Sequence, residues 1–266
     1  MDIDESALGD VQFLTGSAQR WHLLSALHES PARPRDLCES VDATRTTIQR
    51  ILAGFREREW VRKEDGRYGL TVTGRRIHDR YRALLAEAER AREFGPLASN
   101  LGHVTEDLPT AALEDGELTV STSGNPLAAV SRFTEWFRAA QGDVRAVSPI
   151  VAEPFNDIGA ELLDDGTTIE FVIDASVLER SRSEYEDSFE RGLDDDRIDI
   201  YVHPEPLSLG LVVDEGRCCL AAYDDGNNIR AVLESEDDAV YEWVRRLYER
   251  RRDRADPLTA VADGIR

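Results

Sequence analysis

The clearest chemical pattern in the sequence lies in residues 44–56, where polar side chains recur on one side of a helical repeat. Ile48, Ile51, Leu52 and Phe55 follow the spacing i, i+3, i+4 and i+7, which predicts one buried stripe. Glutamine can bind adenine and arginine can bind guanine through two hydrogen bonds in the major groove of DNA. The residues predicted to contact base edges and adjacent phosphates are Arg45, Thr46, Thr47, Gln49 and Arg50. The alternative is an ordinary solvated helix face.

A second group of cations follows in two short predicted strands, residues 60–63 and 67–71, with the turn signal Asp65-Gly66 between them. Cations on such a hairpin can touch phosphates or the minor groove, which positions a protein on DNA without reading its sequence. The residues given this role are Arg35, Arg62, Lys63, Arg67 and Tyr68. Because acidic residues at the hairpin tip dilute the charge, ordinary surface charge is the alternative.

Cysteine and histidine offer little chemistry in this pattern. Cys38, Cys218 and Cys219 form no C-x-x-C pair, and the last two are neighbours in a predicted strand, so their side chains point to opposite faces. We expect reduced structural thiols. The five histidines are scattered, and only the fold could bring them together as metal ligands. We therefore expect no metal site, no cofactor and no catalytic residue.

Helices must position these side chains. A first helix over residues 17–29 is stopped by Pro31, and a short helix follows over residues 34–40. Asp42 or Thr44 can cap the third helix, whose stripe is described above. A long helix, capped by Thr73, is predicted from there to about Phe94 and ends at Gly95-Pro96.

The remainder alternates strands with helices, which predicts a largely parallel or mixed sheet with helices packed on it. The predicted strands cover residues 117–121, 144–151, 168–173, 198–203, 207–213, 218–223 and 228–233, and the predicted helices cover 126–140, 153–163, 175–193 and 237–254. Ligands of open α/β sheets favour the carboxyl ends of strands. The effector-binding candidates on this ground are Ser148, Pro149, Asp174 and Tyr201. Ordinary turn residues are the alternative.

Two apolar stripes are candidates for pairing two copies of the chain. One runs from Ile77 to Ala88 in the long helix, and the other consists of Val240, Trp243, Val244, Leu247 and Tyr248 in the last helix. Either stripe can instead be simple core. We expect a homodimer through at least one of them, because paired half-sites increase affinity.

Charge is unevenly distributed along the 266 residues, whose formal net charge is −21. Residues 1–95 hold 16 basic and 16 acidic side chains, so the other 16 basic and 37 acidic residues fall after them. Within residues 33–82 there are 13 basic and 8 acidic residues, a surplus that suits a polyanion. Lys63 is the only lysine, and carboxylates without lysine resemble the proteins of salt-in halophilic archaea. A mesophilic acidic protein is the alternative.

The order of three helices, a basic hairpin and a linking helix resembles a winged helix-turn-helix. The second half resembles the carboxy-terminal domain of archaeal regulators of the methanogenesis-regulator type, which are abundant in haloarchaea. This resemblance is carried by residues 147–150, 166–173, 197–202, 209–213 and 239–243. That domain type is distantly similar to the phospholipase D half-fold, but Pro204-Glu205 follow His203 where an H-x-K motif would need lysine.

These observations predict an α+β and α/β chain: a winged helix-turn-helix over residues 1–95, a linker over 96–116, an α/β effector or dimerisation domain over 117–256, and a frayed tail over 257–266. The resemblance implies a dimeric, non-enzymatic transcription regulator that binds double-stranded DNA and is modulated by a small molecule. A protein-interaction module and a phosphodiesterase-like enzyme are the alternatives. The acidic start and the lack of an apolar run of membrane length predict a cytoplasmic protein without membrane contact.

Overall fold

The computed structural model describes residues 4–263 and divides into two compact units, Met1–Glu89 and Arg90–Arg266. The first unit contains α1 (Glu5–Thr15), α2 (Ala18–Glu29), α3 (Pro34–Val41), α4 (Arg45–Glu57), β1 (Val61–Glu64), β2 (Arg67–Leu70) and the beginning of α5 (Val72–Leu101). The predicted order of three helices, hairpin and long helix is present. The additional helix α1 was not predicted.

The core of the first unit is formed by the stripes that the sequence marks. Leu23, Leu24 and Leu27 of α2 meet the α4 stripe, and Leu37 and Val41 of α3 are also buried there. Each fully buried leucine contributes about 1.5–3 kcal/mol relative to an exposed one. Burial of one face of α4 therefore determines which residues its other face presents to solvent.

The hairpin turns as predicted. Glu64 pairs with Arg67, which leaves Asp65 and Gly66 as a two-residue loop. Both loop residues have positive φ, 49° and 77°, the backbone that a tight type I′ turn requires. An isolated bridge between Ala32 and Tyr68 attaches the hairpin to the α2–α3 connection.

The long helix differs from the prediction at both ends. The hydroxyl of Thr71, not that of Thr73, accepts a hydrogen bond from Gly74 N at 3.0 Å. The helix also continues through Pro96 to Leu101. A proline inside a helix costs about 3 kcal/mol, but burial of Leu97 and Leu101 in the core of the second unit outweighs that cost.

The residues predicted as a linker, 96–116, are therefore largely structured. They hold the end of α5, a 3-10 helix (Gly102–Asp107) and α6 (Thr110–Glu114), where Ala112 is buried in the core.

The second unit is built on an eight-stranded mixed sheet in the order β10-β6-β5-β4-β7-β8-β9-β3. Strands β4, β5 and β6 are parallel to one another, and the other pairings are antiparallel. The strands are β3 (Glu117–Val120), β4 (Asp143–Val147), β5 (Thr168–Asp174), β6 (Ile198–His203), β7 (Leu209–Val213), β8 (Cys218–Tyr223), β9 (Ile229–Ser235) and β10 (Asp256–Pro257).

Helices cover the sheet, and the core is split between its two faces. The helices of this unit are α7 (Ala128–Arg138), α8 (Glu153–Asp164), α9 (Ala175–Glu184), α10 (Glu186–Leu193), α11 (Asp238–Arg252) and α12 (Leu258–Asp263). Cys218 belongs to the cluster under α11, and Cys219 belongs to the cluster under α7 and α8. The prediction that these two thiols point to opposite faces is confirmed.

Two predictions for the helices of the second unit are corrected. The helix predicted over residues 175–193 is two helices, because Tyr185 adopts a non-helical backbone (φ −133°, ψ 37°) between α9 and α10. The apolar stripe of α11 is core, since all five of its residues are at most 3% exposed. It is therefore not available to pair two copies of the chain.

The tail predicted as frayed is also structured. It contains β10, which pairs with β6, and α12, where Leu258 is buried against Val202. Residues 264–266 lie outside the described residues. Over residues 4–263, no helix combines the length and apolar composition that crossing a bilayer requires.

Candidate nucleic-acid interface

The α4 helix presents a continuous polar face. Its first turn is capped by Thr44, whose hydroxyl accepts a hydrogen bond from Thr47 N at 3.3 Å. Arg45, Gln49 and Arg50 are exposed, as is Thr46. Thr47 is half-buried, and its hydroxyl lies 3.0 Å from that of Thr44. Of the five predicted residues of this helix, Thr47 is therefore committed to the cap.

The guanidinium groups of this face are not engaged by carboxylates. Over residues 4–263, neither Arg45 nor Arg50 forms a salt bridge, whereas Arg58, directly after α4, binds Asp10 of α1 at 2.8 Å. Free guanidinium groups on a rigid helix can form two parallel hydrogen bonds to a base or a phosphate. The buried stripe holds the helix, and only the exposed side chains have rotational freedom.

The cationic side chains of the hairpin are exposed, and one of them is partly neutralised by a nearby carboxylate. Arg62 lies 3.2 Å from Glu64, and both side chains are well exposed, so this pair is weak. The Lys63 ammonium lies 5.6 Å from the centre of the Tyr68 ring. Arg67 donates a long hydrogen bond of 3.4 Å to the carbonyl of Pro31. All three cations remain exposed.

Arg35 projects from the first turn of α3 and is exposed. Two further exposed arginines, Arg75 and Arg76, follow the hairpin at the start of α5. They belong to the basic surplus of residues 33–82 but were not predicted as site residues. Their signal in the sequence is their position directly after the hairpin.

Helix α1 buttresses α4 in a way that spacing did not predict. The ring of Phe13 lies between the guanidinium groups of Arg20 and Arg58, at 4.2 and 3.9 Å from its centre. Gly54 allows this approach, because a Cβ there would collide with the Phe13 ring. The interaction links α1, α2 and α4.

The scattered histidines converge in part, contrary to expectation. Ligand atoms of His28, His78 and Asp79 lie within 4.8 Å of one another. His78 is buried between Trp21 and His28, with ring centres 4.9 and 4.0 Å away. Because His28 and His78 are fifty residues apart in the chain, no local pattern indicates this contact.

The four predicted effector residues do not form one site. Asp174 is buried and caps α9, accepting hydrogen bonds from Ser176 N and Val177 N. Tyr201 packs against the cluster under α11, with the Arg252 guanidinium 3.2 Å above its ring. Pro149 is buried, and Ser148 lines a cavity between the sheet and the helices of this unit. The rule that ligands bind at the carboxyl ends of strands therefore did not identify a common pocket for the four residues.

That cavity has a volume of about 370 Å³ and lies between the sheet and helices α8, α9 and α10. Its wall is mainly apolar, with Phe155, Phe171, Ile198 and Ile200 prominent in it. The polar residues Ser148, Asn156 and Tyr185 also line it, and the charged lining residues are Asp164, Arg191 and Asp195.

His203, the histidine that no lysine follows at H-x-K spacing, is buried and held by its own loop. His203 is 4% exposed, and its Nδ1 lies 2.8 Å from the backbone oxygen of Glu205 and 3.1 Å from the Glu205 nitrogen. The ring is thus held by the local backbone.

Two family models match the chain. Residues 126–254 match the middle domain of methanogenesis regulatory protein FilR1, and residues 8–93 match the HVO_A0261 N-terminal domain. The predicted resemblance of the second half to regulators of the methanogenesis-regulator type is confirmed by the first match. No curated protein matches this chain.

The similarities to solved structures are weaker. TrmBL2, described as an archaeal chromatin protein with a novel mode of DNA binding, aligns at 13% identity over 91% of this chain and 93% of its own, with a TM-score of 0.42. NucT from Helicobacter pylori aligns at 10% identity over 54% and 99%, with a TM-score of 0.43. The phospholipase D family member Nuc from Salmonella typhimurium aligns at 11% over 54% and 98%, with a TM-score of 0.42. These scores are too low to establish a shared fold, so the distant similarity to phospholipase D stays a prediction.

Proposed function

We propose that this chain is an archaeal transcription regulator that binds double-stranded DNA through a winged helix-turn-helix in its first unit and responds to a small molecule through its second. The match of residues 126–254 to the middle domain of methanogenesis regulatory protein FilR1 supports a regulator. The single observation that carries the DNA-binding part is the exposed polar face of α4, backed by a fully buried stripe.

In this proposal α4 is the recognition helix. Gln49 and Arg50 read base edges in the major groove, and Arg45 and Thr46 contact the bases or phosphates beside them. Each good two-bond contact contributes about 1–3 kcal/mol of discrimination between bases. Thr47 contributes indirectly, because its contacts with the Thr44 hydroxyl cap the first turn of α4.

Arg35 and the hairpin hold the protein on the backbone of DNA. Arg62, Lys63, Arg67 and Tyr68 contact phosphates or the minor groove. Removing one phosphate contact should reduce the slope of log affinity against log salt by about 0.9. Because this contribution is small in concentrated salt, base contacts and dimerisation must supply most of the affinity of a halophilic regulator.

The dimer contact proposed here is the exposed part of the α5 stripe. Ile77 and Tyr81 pack on the core of the first unit, but Leu84 is 57% exposed and Leu85 is half-buried. A second copy of α5 can cover both leucines. Replacing Leu84 with Arg is expected to yield monomers in sedimentation velocity, while Leu127→Arg, at an exposed leucine of the second unit, keeps the dimer. Unchanged sedimentation of both variants would remove α5 as the contact.

The effector site proposed here is the cavity under α8, α9 and α10. Its volume falls within the roughly 300–1,000 Å³ of small-molecule pockets. The mainly apolar wall, with polar and charged residues along part of it, suits a small, largely apolar molecule that carries polar groups. A side chain added at Gly159 would meet no neighbouring atom within 4 Å, so Gly159→Leu can fill the cavity while α8 stays intact. This variant should abolish the thermal shift that a ligand causes in the wild type, and a full shift in the variant would reject the cavity.

Genome-wide crosslinking of a tagged chain in its native salt tests the DNA-binding proposal. The wild type is compared with the double variant Gln49→Ala, Arg50→Ala and with the control Arg180→Ala. The control removes an exposed arginine from α9 of the second unit, where no DNA contact is proposed.

Discrete peaks that share a near-palindromic motif, are absent in the double variant and are kept in the control would support the proposal. Peaks that survive in the double variant would reject α4 as the recognition helix. Absence of peaks for the wild type would favour a protein-interaction module. Hydrolysis of DNA or phosphodiesters by purified wild-type protein would favour the enzymatic alternative.

A further inference from the structure

A cluster of potential ligands in the first unit has no role in the DNA-binding proposal. His28 lies in the last turn of α2, and His78 and Asp79 follow one another in the second turn of α5. Their ligand atoms all lie within 4.8 Å of one another. We infer that these three residues form a binding site for a first-row divalent transition ion of the zinc class.

An unsatisfied nitrogen is the first support. His28 Nδ1 is buried and has no hydrogen-bond partner among residues 4–263. A buried polar atom without a partner is unfavourable, and native structures rarely retain one. Stacking on His78 involves only the faces of the two rings, so it gives His28 Nδ1 no partner. A metal ion bound along the lone pair of Nδ1 would provide that partner.

The second support is the paired state of the other two groups. His78 Nδ1 lies 3.0 Å from Asp79 Oδ1. This contact places an oxygen of the exposed Asp79 carboxylate directly beside the buried His78 ring. Two imidazoles and one carboxylate suit ions such as Zn²⁺ or Co²⁺, whereas Mg²⁺ and Ca²⁺ prefer oxygen ligands alone.

Binding requires a small local rearrangement. The His28 and His78 rings are stacked with planes 15° apart, and an imidazole binds a metal in the plane of its ring. The two rings cannot both reach one ion as they stand, so one must turn about its Cβ–Cγ bond. His28 is the ring that turns, because Nδ1 holds no hydrogen bond and the ring is less buried than His78. Metal–nitrogen distances of about 2.0–2.1 Å would also bring the ligand atoms closer together.

The bound ion would connect the end of α2 to α5. Residues that follow α2 pair with the hairpin through the Ala32–Tyr68 bridge, so the ion would stiffen the attachment of the hairpin to α2. Because a ligand that binds only the folded state stabilises it, saturation should raise the unfolding temperature of the first unit.

The test is a titration of the full chain with Co²⁺ after treatment with a chelator, in native salt with excess Mg²⁺ to occupy weak surface carboxylates. We expect saturable binding of one ion per chain, with visible d–d absorption that Zn²⁺ reverses. His28→Gln and Asp79→Asn should each lower the affinity at least about 10-fold, since even loss of an outer partner of a ligand costs about 10- to 100-fold. His22→Gln is the matched control, because His22 is an exposed histidine of the same helix.

Several results would overturn the inference. Non-saturable binding that is equal in all variants would show that only surface carboxylates hold the ion. Full affinity in His28→Gln would exclude this cluster, and a thiolate charge-transfer band would place the ion on cysteine. Circular dichroism of each variant confirms that it is folded; His78 is left unchanged, since its buried ring also packs the unit. None of these readouts involves DNA, so the result is independent of the proposed function.

Discussion

Asp174 provides a quantitative test of the second unit, because one carboxylate joins three segments. It ends β5 and caps α9, where Oδ1 accepts hydrogen bonds from Ser176 N at 2.9 Å and Val177 N at 3.0 Å. Its Oδ2 accepts a hydrogen bond from Leu207 N, in the loop before β7, at 2.9 Å. The side chain is 5% exposed, so water cannot replace these partners.

The expected cost of Asp174→Ala follows from those bonds. Loss of a helix cap costs about 0.5–2 kcal/mol. The buried Leu207 amide would also lose its acceptor, which costs about 1–3 kcal/mol. Together the free energy of unfolding should fall by about 1.5–5 kcal/mol. Asp174→Asn keeps one oxygen as an acceptor, so it should lose about half as much.

The pH dependence has a definite sign. Burial raises the pKa of Asp174, but the hydrogen bonds from Leu207, Ser176 and Val177 outweigh burial and leave the pKa below its ordinary value of 3.8. A carboxyl whose pKa is lowered by folding stabilises the folded state above that ordinary value. This contribution is lost as the pH falls below 3.8 and through the lower pKa of the folded state. The difference between the wild type and Asp174→Asn should therefore shrink in that range.

Urea unfolding at constant high salt, followed by circular dichroism over a pH series, measures both effects. Asp199→Asn is the matched control, since Asp199 is an exposed aspartate on the neighbouring strand β6. Its effect should be within about 0.5 kcal/mol. A similarly small effect of Asp174→Ala, or a difference between the wild type and Asp174→Asn that does not change with pH, would refute the reasoning.

Two further predictions concern packing. Gly74→Ala should destabilise the first unit by about 1–3 kcal/mol in urea unfolding, because the added Cβ would overlap the carbonyl oxygen of Trp60. Gly9→Ala, in open space within α1 of the same unit, should stabilise it by about 0.5–1 kcal/mol, and equal effects of the two changes would contradict this account. Native protein should react with a thiol reagent only at Cys38, since burial raises the pKa of Cys218 to about 12 and also raises that of its neighbour in β8. Unfolded protein should react at three thiols, and rapid reaction of three native thiols would show that β8 is accessible.

Sequence periodicity predicted the parts of the fold that depend on local pattern. The α4 stripe and the opposite faces of Cys218 and Cys219 follow from the repeats of a helix and a strand. The Asp65-Gly66 turn follows from backbone preference in a two-residue loop. Each of these features is set within a few residues, so no tertiary contact was needed to predict it.

The remaining features depend on tertiary contacts that spacing does not encode. Helix α1 lacks a strong apolar stripe, with Leu8 and Val11 exposed, and it is held through the buried Leu14 and through Phe13. Asp174 was predicted as an effector residue because it ends a strand, but the same position is where a following helix needs a cap. The cavity instead lies beneath helices whose break at Tyr185 no local signal marks.

Salt connects the acidity of the chain to the way it is proposed to bind DNA. Repulsion between the carboxylates that follow residue 95 and a DNA phosphate extends over about 10 Å at 0.1 M salt but only about 3 Å at 1 M. Concentrated salt therefore removes most of the penalty for carrying a net charge of −21. It also removes most of the gain from counterion release. What remains are short-range contacts. Arg50, which forms no salt bridge among residues 4–263, and the neighbouring Gln49 on a rigid α4 are suited to provide them. In the proposed high-salt setting, the acidic surface and the proposed dependence of α4 on direct base contacts are therefore two consequences of the same solvent.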